Sequence, residues 1–209
     1  MLPHFTHLFT YVAIVSVFVL VPGPSVLLTV AKSIASGTRA GLMTALGIAV
    51  GDVVHTTLAV FGVSAILMAS ALAFTIVKYL GAAYLVYLGL KALLQQSASL
   101  ELPSSERAFS QNAFIRGFLC EVLNPKSALF FLAFLPQFID SATGYPQVQL
   151  AVLGLLFIRL GVISTCSYAL AAGRVGSFLK AHAGWAKWQD KLVGGLYCAL
   201  AVRLALQER

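Results

Sequence analysis

A proline pair buried in an apolar run constrains this chain more than any other feature. Val21-Pro22-Gly23-Pro24-Ser25 lies within, not beside, a stretch from about Phe5 to Ala31 that contains no Lys, Arg, Asp or Glu. Pro24 has no amide hydrogen and its ring crowds the carbonyl four residues back, while Pro22 removes a second donor and Gly23 adds backbone freedom. A continuous helix is not expected there. The run is nevertheless longer than the roughly 20 residues that cross a bilayer. In hydrocarbon an unsatisfied backbone group is so costly that a break at this depth survives only where protein or a polar cavity covers it. Pro22, Gly23 and Pro24 therefore mark a cavity.

The rest of the chain agrees with a membrane setting. Of 209 residues, 59% are hydrophobic and 10% charged, with a mean hydropathy of +0.90, against about 25% charged residues in a soluble domain. An all-α integral membrane protein is expected. The net charge of +7 does not indicate nucleic acid, because the Lys and Arg residues fall in short loops between apolar runs and form no basic face. Cys120, Cys166 and Cys198 lie in separate segments without C-x-x-C spacing, so they read as packing residues and not as a disulfide or metal framework. No positive charge precedes Lys32, and no cleavable leader is expected.

Six crossings are predicted. After the first run, Lys32 and Arg39 flank a short Ser33 to Thr38 loop. From Ala40 to Val77 there is no Lys or Arg and one acid, Asp52; as one helix this would be ~57 Å long, so it must turn back around Ser70 to Thr75. That gives a second helix of about Arg39 to Met68 and a third of about Phe74 to Leu94. Residues 95–112 form the one long polar linker. Ala113 to Phe138 and Val148 to Ala172 supply the fourth and fifth helices. Phe178, His182, Trp185 and Trp188 suit either a short interfacial helix or a packed loop, and Leu192 to Leu206 makes the sixth. Basic residues concentrate after helices one, three and five, which places those loops in the cytoplasm and both termini outside.

The two halves echo each other. Lys78-x-x-Gly81-x-x-Tyr84 recurs as Lys191-x-x-Gly194-x-x-Tyr197, and Gly23-Pro24 has its counterpart in Asn124-Pro125. With three helices per half, the second copy, residues 113–209, enters the membrane inverted relative to residues 1–94. Inverted repeats with broken helices one and four are a transporter arrangement with the site near the midplane.

Asn is a favoured N-cap and Pro a favoured first helical residue, so Asn124-Pro125 reads as the restart of a half-helix at membrane depth. Two such restarts would aim amide hydrogens and positive dipole ends at a substrate carboxylate. Lys126, just inside the second restart, calls for a nearby anion, either that carboxylate or a protein acid, unless it reaches the interface. Asp52 is the strongest functional candidate, since a mid-membrane carboxylate must be paired, hydrated or protonated; in an exporter it would meet the substrate's ammonium group or carry the coupling proton. Gly47, Gly51 and His55 share a face for close helix approach. His55 is either a packed histidine or, with Asp52, part of a weak metal signal. Glu121 lies about five residues into its helix and either serves the site or snorkels. Arg159 sits ~16 Å from its helix ends, beyond its reach to water, and is expected to face protein, with Glu121 as a guessed partner.

Pro22-Gly23-Pro24, Gly47-Ile48-Ala49-Val50-Gly51-Asp52, Gly81-Ala82-Ala83-Tyr84-Leu85 through Tyr87-Leu88-Gly89, and Asn124-Pro125-Lys126 through Phe134-Leu135-Pro136-Gln137-Phe138 together resemble the lysine exporter (LysE/RhtB) family, in particular its threonine and homoserine efflux branch. The resemblance spans nearly the whole chain. It implies a bacterial inner-membrane exporter of amino acids or their derivatives, driven by the proton gradient, without enzymatic activity or cofactor. Its partners would be the amino-acid substrate, protons and the lipid bilayer, with a homo-oligomer left open. The runner-up is a divalent-metal or small-ion exporter built on Asp52, His55 and Glu121. A membrane thiol-redox enzyme would need paired cysteines on facing helices, and the first helix has none.

Overall fold

The computed structural model describes residues 5–63, 71–94, 112–140 and 144–172, with 174, 191, 194–195, 198–199 and 201–202 beyond them. Every regular element among these residues is helical. α1 (Phe5–Leu20) stops at the Pro22-Gly23 break, and α2 (Pro24–Ser36) restarts with proline in its first turn. Gly37, with φ of +86°, is the single residue between α2 and α3 (Thr38–Leu58). The expected Ser33 to Thr38 loop is thus shorter than supposed: Lys32 and Ser33 are buried within α2, because a glycine in the left-handed region reverses the chain in one step.

α3 passes into a π-turn at Ala59–Val63, and the expected end of this helix at Met68 lies outside the described residues. α4 (Ala71–Leu94) follows. α5 (Ala113–Val122) begins with the Asn112 side chain accepting from Phe114 N. α6 (Pro125–Leu129) continues through a π-turn at Phe130–Phe134 into a 3-10 turn at Leu135–Phe138, where Pro136 has no amide to extend the helix. α7 (Pro146–Leu170) closes the well-described part.

α3 with its π-turn and α7 are each long and apolar enough to cross a bilayer. The α1–α2 and α5–α6 pairs each pass as one bent span, with bends of 47° and 44°. The two bends fall at the breaks expected at Gly23-Pro24 and Asn124-Pro125. Of the six expected crossings, the third corresponds to α4, and the sixth, like the 95–112 linker, the Ser70 turn and the Phe178 to Trp188 segment, lies wholly or mostly outside the described residues. Where described, residues 191–202 are helical and pack on α4: a Cβ at Gly89 would fall 2.6 Å from Cys198 Sγ, and one at Gly194 2.6 Å from Leu93 Cγ.

α3 is the central post. Its buried stripe, Thr44, Gly47, Ile48, Gly51, Asp52 and His55, recurs at helical spacing, while Leu46, Val50 and Val53 point outward as a lipid-facing side must. A Cβ at Gly47 would collide with Phe114 O and one at Gly117 with Thr44 O, so α3 and α5 touch backbone to backbone. On the other side of the breaks, α1, α6 and α7 share an aromatic core of Tyr11, Phe18, Phe130, Phe134, Phe138 and Phe157. Phe130 stacks against Phe157 at 4.7 Å between centroids, and Tyr11 donates to Leu153 O at 2.7 Å. The two helix breaks lie between this apolar block and the α3–α5 contact. The chain is an all-helical, multi-pass membrane protein.

Candidate functional site

Each restart brings a serine into its first turn: Ser25 follows Pro24, and Ser127 follows Pro125-Lys126. Both hydroxyls donate to Glu121, Ser25 to one carboxyl oxygen and Ser127 to the other. Asn124 adds its Nδ2, 3.2 Å from Ser25 Oγ and 3.4 Å from Glu121 Oε2, while its Oδ1 accepts from Lys126 N at 3.0 Å and caps α6. Glu121 is 3% exposed, so it does not snorkel. A carboxylate at two helix starts is the favourable sign of charge for both dipoles. The carboxyl group that meets the two restarts is the protein's own. Its signal in the sequence was the serine repeated in the first turn after each break.

Lys126 is the cation of the same site, and it turns away from the restarts toward the end of α1. Its Nζ donates to Phe18 O at 3.1 Å and Val21 O at 3.4 Å, and lies 4.2 Å from the centroid of the Phe18 ring. A broken helix leaves its last carbonyls without partners. Here Val21 N reaches Val17 O, Ser164 Oγ donates to Val19 O at 2.8 Å, and Tyr168 OH to Leu20 O at 2.6 Å. Each freed carbonyl from Phe18 to Val21 thus has a side-chain donor from the second half of the chain. Gly23 leaves room for the lysine, with a Cβ there standing in ordinary contact 3.5 Å from Lys126 Nζ.

Asp52 faces the cavity enclosed by these groups, beside Glu121 and across from Gly161 of α7. It is 3% exposed, and its Oδ1 has no hydrogen-bond partner among the described residues. Phe18, Val19, Val26, Ile48 and Phe157 give the same cavity an apolar wall. His55 stands one turn along α3 from Asp52 and is engaged elsewhere, with Nε2 2.9 Å from the backbone oxygen of Glu121 and the ring stacked on Phe131. Among the described residues no three of His, Cys, Asp and Glu are grouped as metal ligands.

Of the expected site residues, Gly23, Asp52, Glu121, Asn124 and Lys126 line this one cavity, from positions that sequence separates by up to about a hundred residues, while Pro22, Pro24 and Pro125 stand at the adjoining breaks without lining it. Arg159 does not join them. It is exposed on the outward stripe of α7 with Leu155 and Ile163, and Glu121, taken up by the restarts, is not its partner. Phe18, Ser164 and Tyr168 also belong to the arrangement, with no local pattern that marks them for it, whereas Ser25 and Ser127 carried the repeated first-turn signal and were not singled out as site residues.

A family model described as "LysE type translocator" matches residues 16–208. The chain is 33% identical over 200 residues to the "Leucine efflux protein" of Salmonella typhimurium, covering 94% of this chain and 93% of that one. It is also 33% identical over 165 residues to "Uncharacterized membrane protein YrhP" of Bacillus subtilis, covering 75% and 78%. An "Uncharacterized membrane protein" of Vibrio cholerae is 32% identical over 196 residues, covering 93% and 94%. No solved structure matches.

Proposed function

The chain belongs to the LysE type translocator family, and from that premise we propose that it exports a neutral amino acid from the bacterial cytoplasm in exchange for protons. The observation that carries this is the cavity at the paired helix breaks, where Asp52, a buried carboxyl with an unpartnered oxygen, sits with Lys126 and Glu121 against an apolar wall. A zwitterion with a non-ionic side chain fits that chemistry. The wall of Phe18, Val19, Val26, Ile48 and Phe157 favours an aliphatic side chain, as in leucine, over the hydroxylated threonine or homoserine. Support from outside the chain comes from the relative named for leucine efflux.

Asp52 carries the coupling proton. Glu121 already accepts from two serines and an asparagine, which ties it to the restarts, whereas Asp52 Oδ1 has nothing to lose on gaining a proton. Asp52, His55 and Glu121 do not present themselves as a ligand set, since His55 turns its nitrogen to a backbone oxygen; the metal-export alternative has no such observation behind it. The chain sits in the inner membrane as two inverted repeats, 1–94 and 113–209, with both termini periplasmic, so that a cysteine replacing Leu2 is labelled from outside and not from the cytoplasm.

Purified protein in liposomes loaded with an amino-acid mixture tests the function. Leucine and other aliphatic amino acids should leave faster than from empty liposomes, and faster still with acid outside. Unchanged efflux of every amino acid, under either proton gradient, would overturn the proposal.

A further inference from the structure

The end of α1 is built as a receptor for an ammonium group. Carbonyls at a helix C-terminus carry the negative end of the dipole, and here two of them, Phe18 O and Val21 O, converge with the face of the Phe18 ring on one Nζ. Two acceptors and a ring face are the partners of a primary ammonium in a dry site. The ammonium now there is that of Lys126, and all of these groups line the cavity assigned above to the substrate.

We propose that this cradle is the binding site for the α-ammonium of the exported amino acid, which it holds in alternation with the Lys126 side chain. This rests on the amino-acid reading of the cavity. The remaining carbonyls of the break are taken by Ser164 and Tyr168, hydroxyl donors on α7, so the lysine is the donor of the set with a long side chain of several rotatable bonds. When the substrate ammonium takes the carbonyls, Lys126 loses its acceptors and needs a replacement anion. The carboxylate of the same substrate provides one within the same cavity. Glu121 cannot do so without giving up Ser25 and Ser127, the contacts that join the two restarts.

The consequence is a rule of selection. A zwitterion takes the carbonyls and supplies a carboxylate in their place, whereas an amine without a carboxylate would displace the lysine and leave its ammonium without the acceptors it now has. Lys126 thereby rejects simple amines although the cradle itself would accept them.

Isoamylamine, which is leucine without its carboxylate, is the probe. In full-length protein in nanodiscs, calorimetry should find isoamylamine binding at least tenfold tighter to Lys126→Met than to wild type. Leucine should keep no more than a few-fold advantage over the amine in the variant. Equal or weaker amine binding by an inserted, monodisperse Lys126→Met protein overturns the proposal. Wild type supplies a second reading that needs no variant: solid-state dipolar coupling between lysine ¹⁵Nζ and phenylalanine ¹³C′ should report Lys126 on Phe18 and vanish when leucine is added to saturation. Coupling that persists with leucine bound refutes alternation. If wild type binds no amino acid at all, the exporter reading fails; a gain of amine binding in Lys126→Met still registers the cradle separately.

Discussion

Asp52→Asn is expected to abolish proton-driven export while leaving the protein inserted and as thermally stable as wild type. The amide fills the volume of the acid, so the close approach of α3 to α5 at Gly47 and Gly51 is undisturbed; Asp52 Oδ1 makes no hydrogen bond among the described residues, and the amide can donate the one that the side chain shares with Glu121. What disappears is the capacity to take up and release a proton. A mid-membrane acid retained with an oxygen unpartnered is expensive and is expected to be functional; removing its titration should reduce export to uncoupled leak. Leucine efflux from liposomes under an inward proton gradient, beside a melting curve of the same preparation, makes the check. Wild-type export by the variant would remove Asp52 from the mechanism, and a collapsed melting curve would make it structural.

Glu121→Ala should fail differently, losing stability and export together. Three buried donors, from Ser25, Ser127 and Asn124, converge on that carboxylate, and its removal leaves them without their acceptor in a region that water does not freely enter. A buried donor left unsatisfied costs about 1–3 kcal/mol, so losing the acceptor of three lowers stability by several kcal/mol, which for a chain of this size corresponds to a fall of about 10 °C in melting temperature. Because Ser25 and Ser127 begin the two restarted helices, the loss also frees the two breaks from each other. Detergent melting curves decide the matter. A Glu121→Ala protein that melts with wild type would show that the breaks are held together by something other than this carboxylate.

The architecture was legible where backbone chemistry is local. Pro24 and Pro125 forbid helix continuity wherever they occur, and the Asn124-Pro125 pair announced an N-cap that the Asn124 side chain does make to Lys126 N. The face of Gly47, Gly51 and His55 was equally plain, since spacing alone puts those residues together. Partners far apart in sequence were not legible. Lys126 pointed to a need for negative charge, but the Phe18 and Val21 carbonyls that take its ammonium belong to a helix end more than a hundred residues away, and carbonyls have no letter in a sequence. Glu121 looked close to a helix end because its depth was counted from the start of its helix; the nearer boundary is the break at Asn124, which turns a near-surface position into the junction of two restarts. For Arg159, distance from the helix ends argued for burial, and its side chain is exposed. Nothing among the described residues explains a cation at that point of α7.

Photo-leucine tests the central claim, that the paired helix breaks enclose the substrate. Its diazirine lies in the side chain, so on irradiation in wild-type protein it should label the apolar wall, with adducts on peptides carrying Phe18, Val26, Ile48 or Phe157. Excess leucine should suppress them. Labelling confined to the outward faces of α3, α4 and α7, unaffected by leucine, would contradict the account.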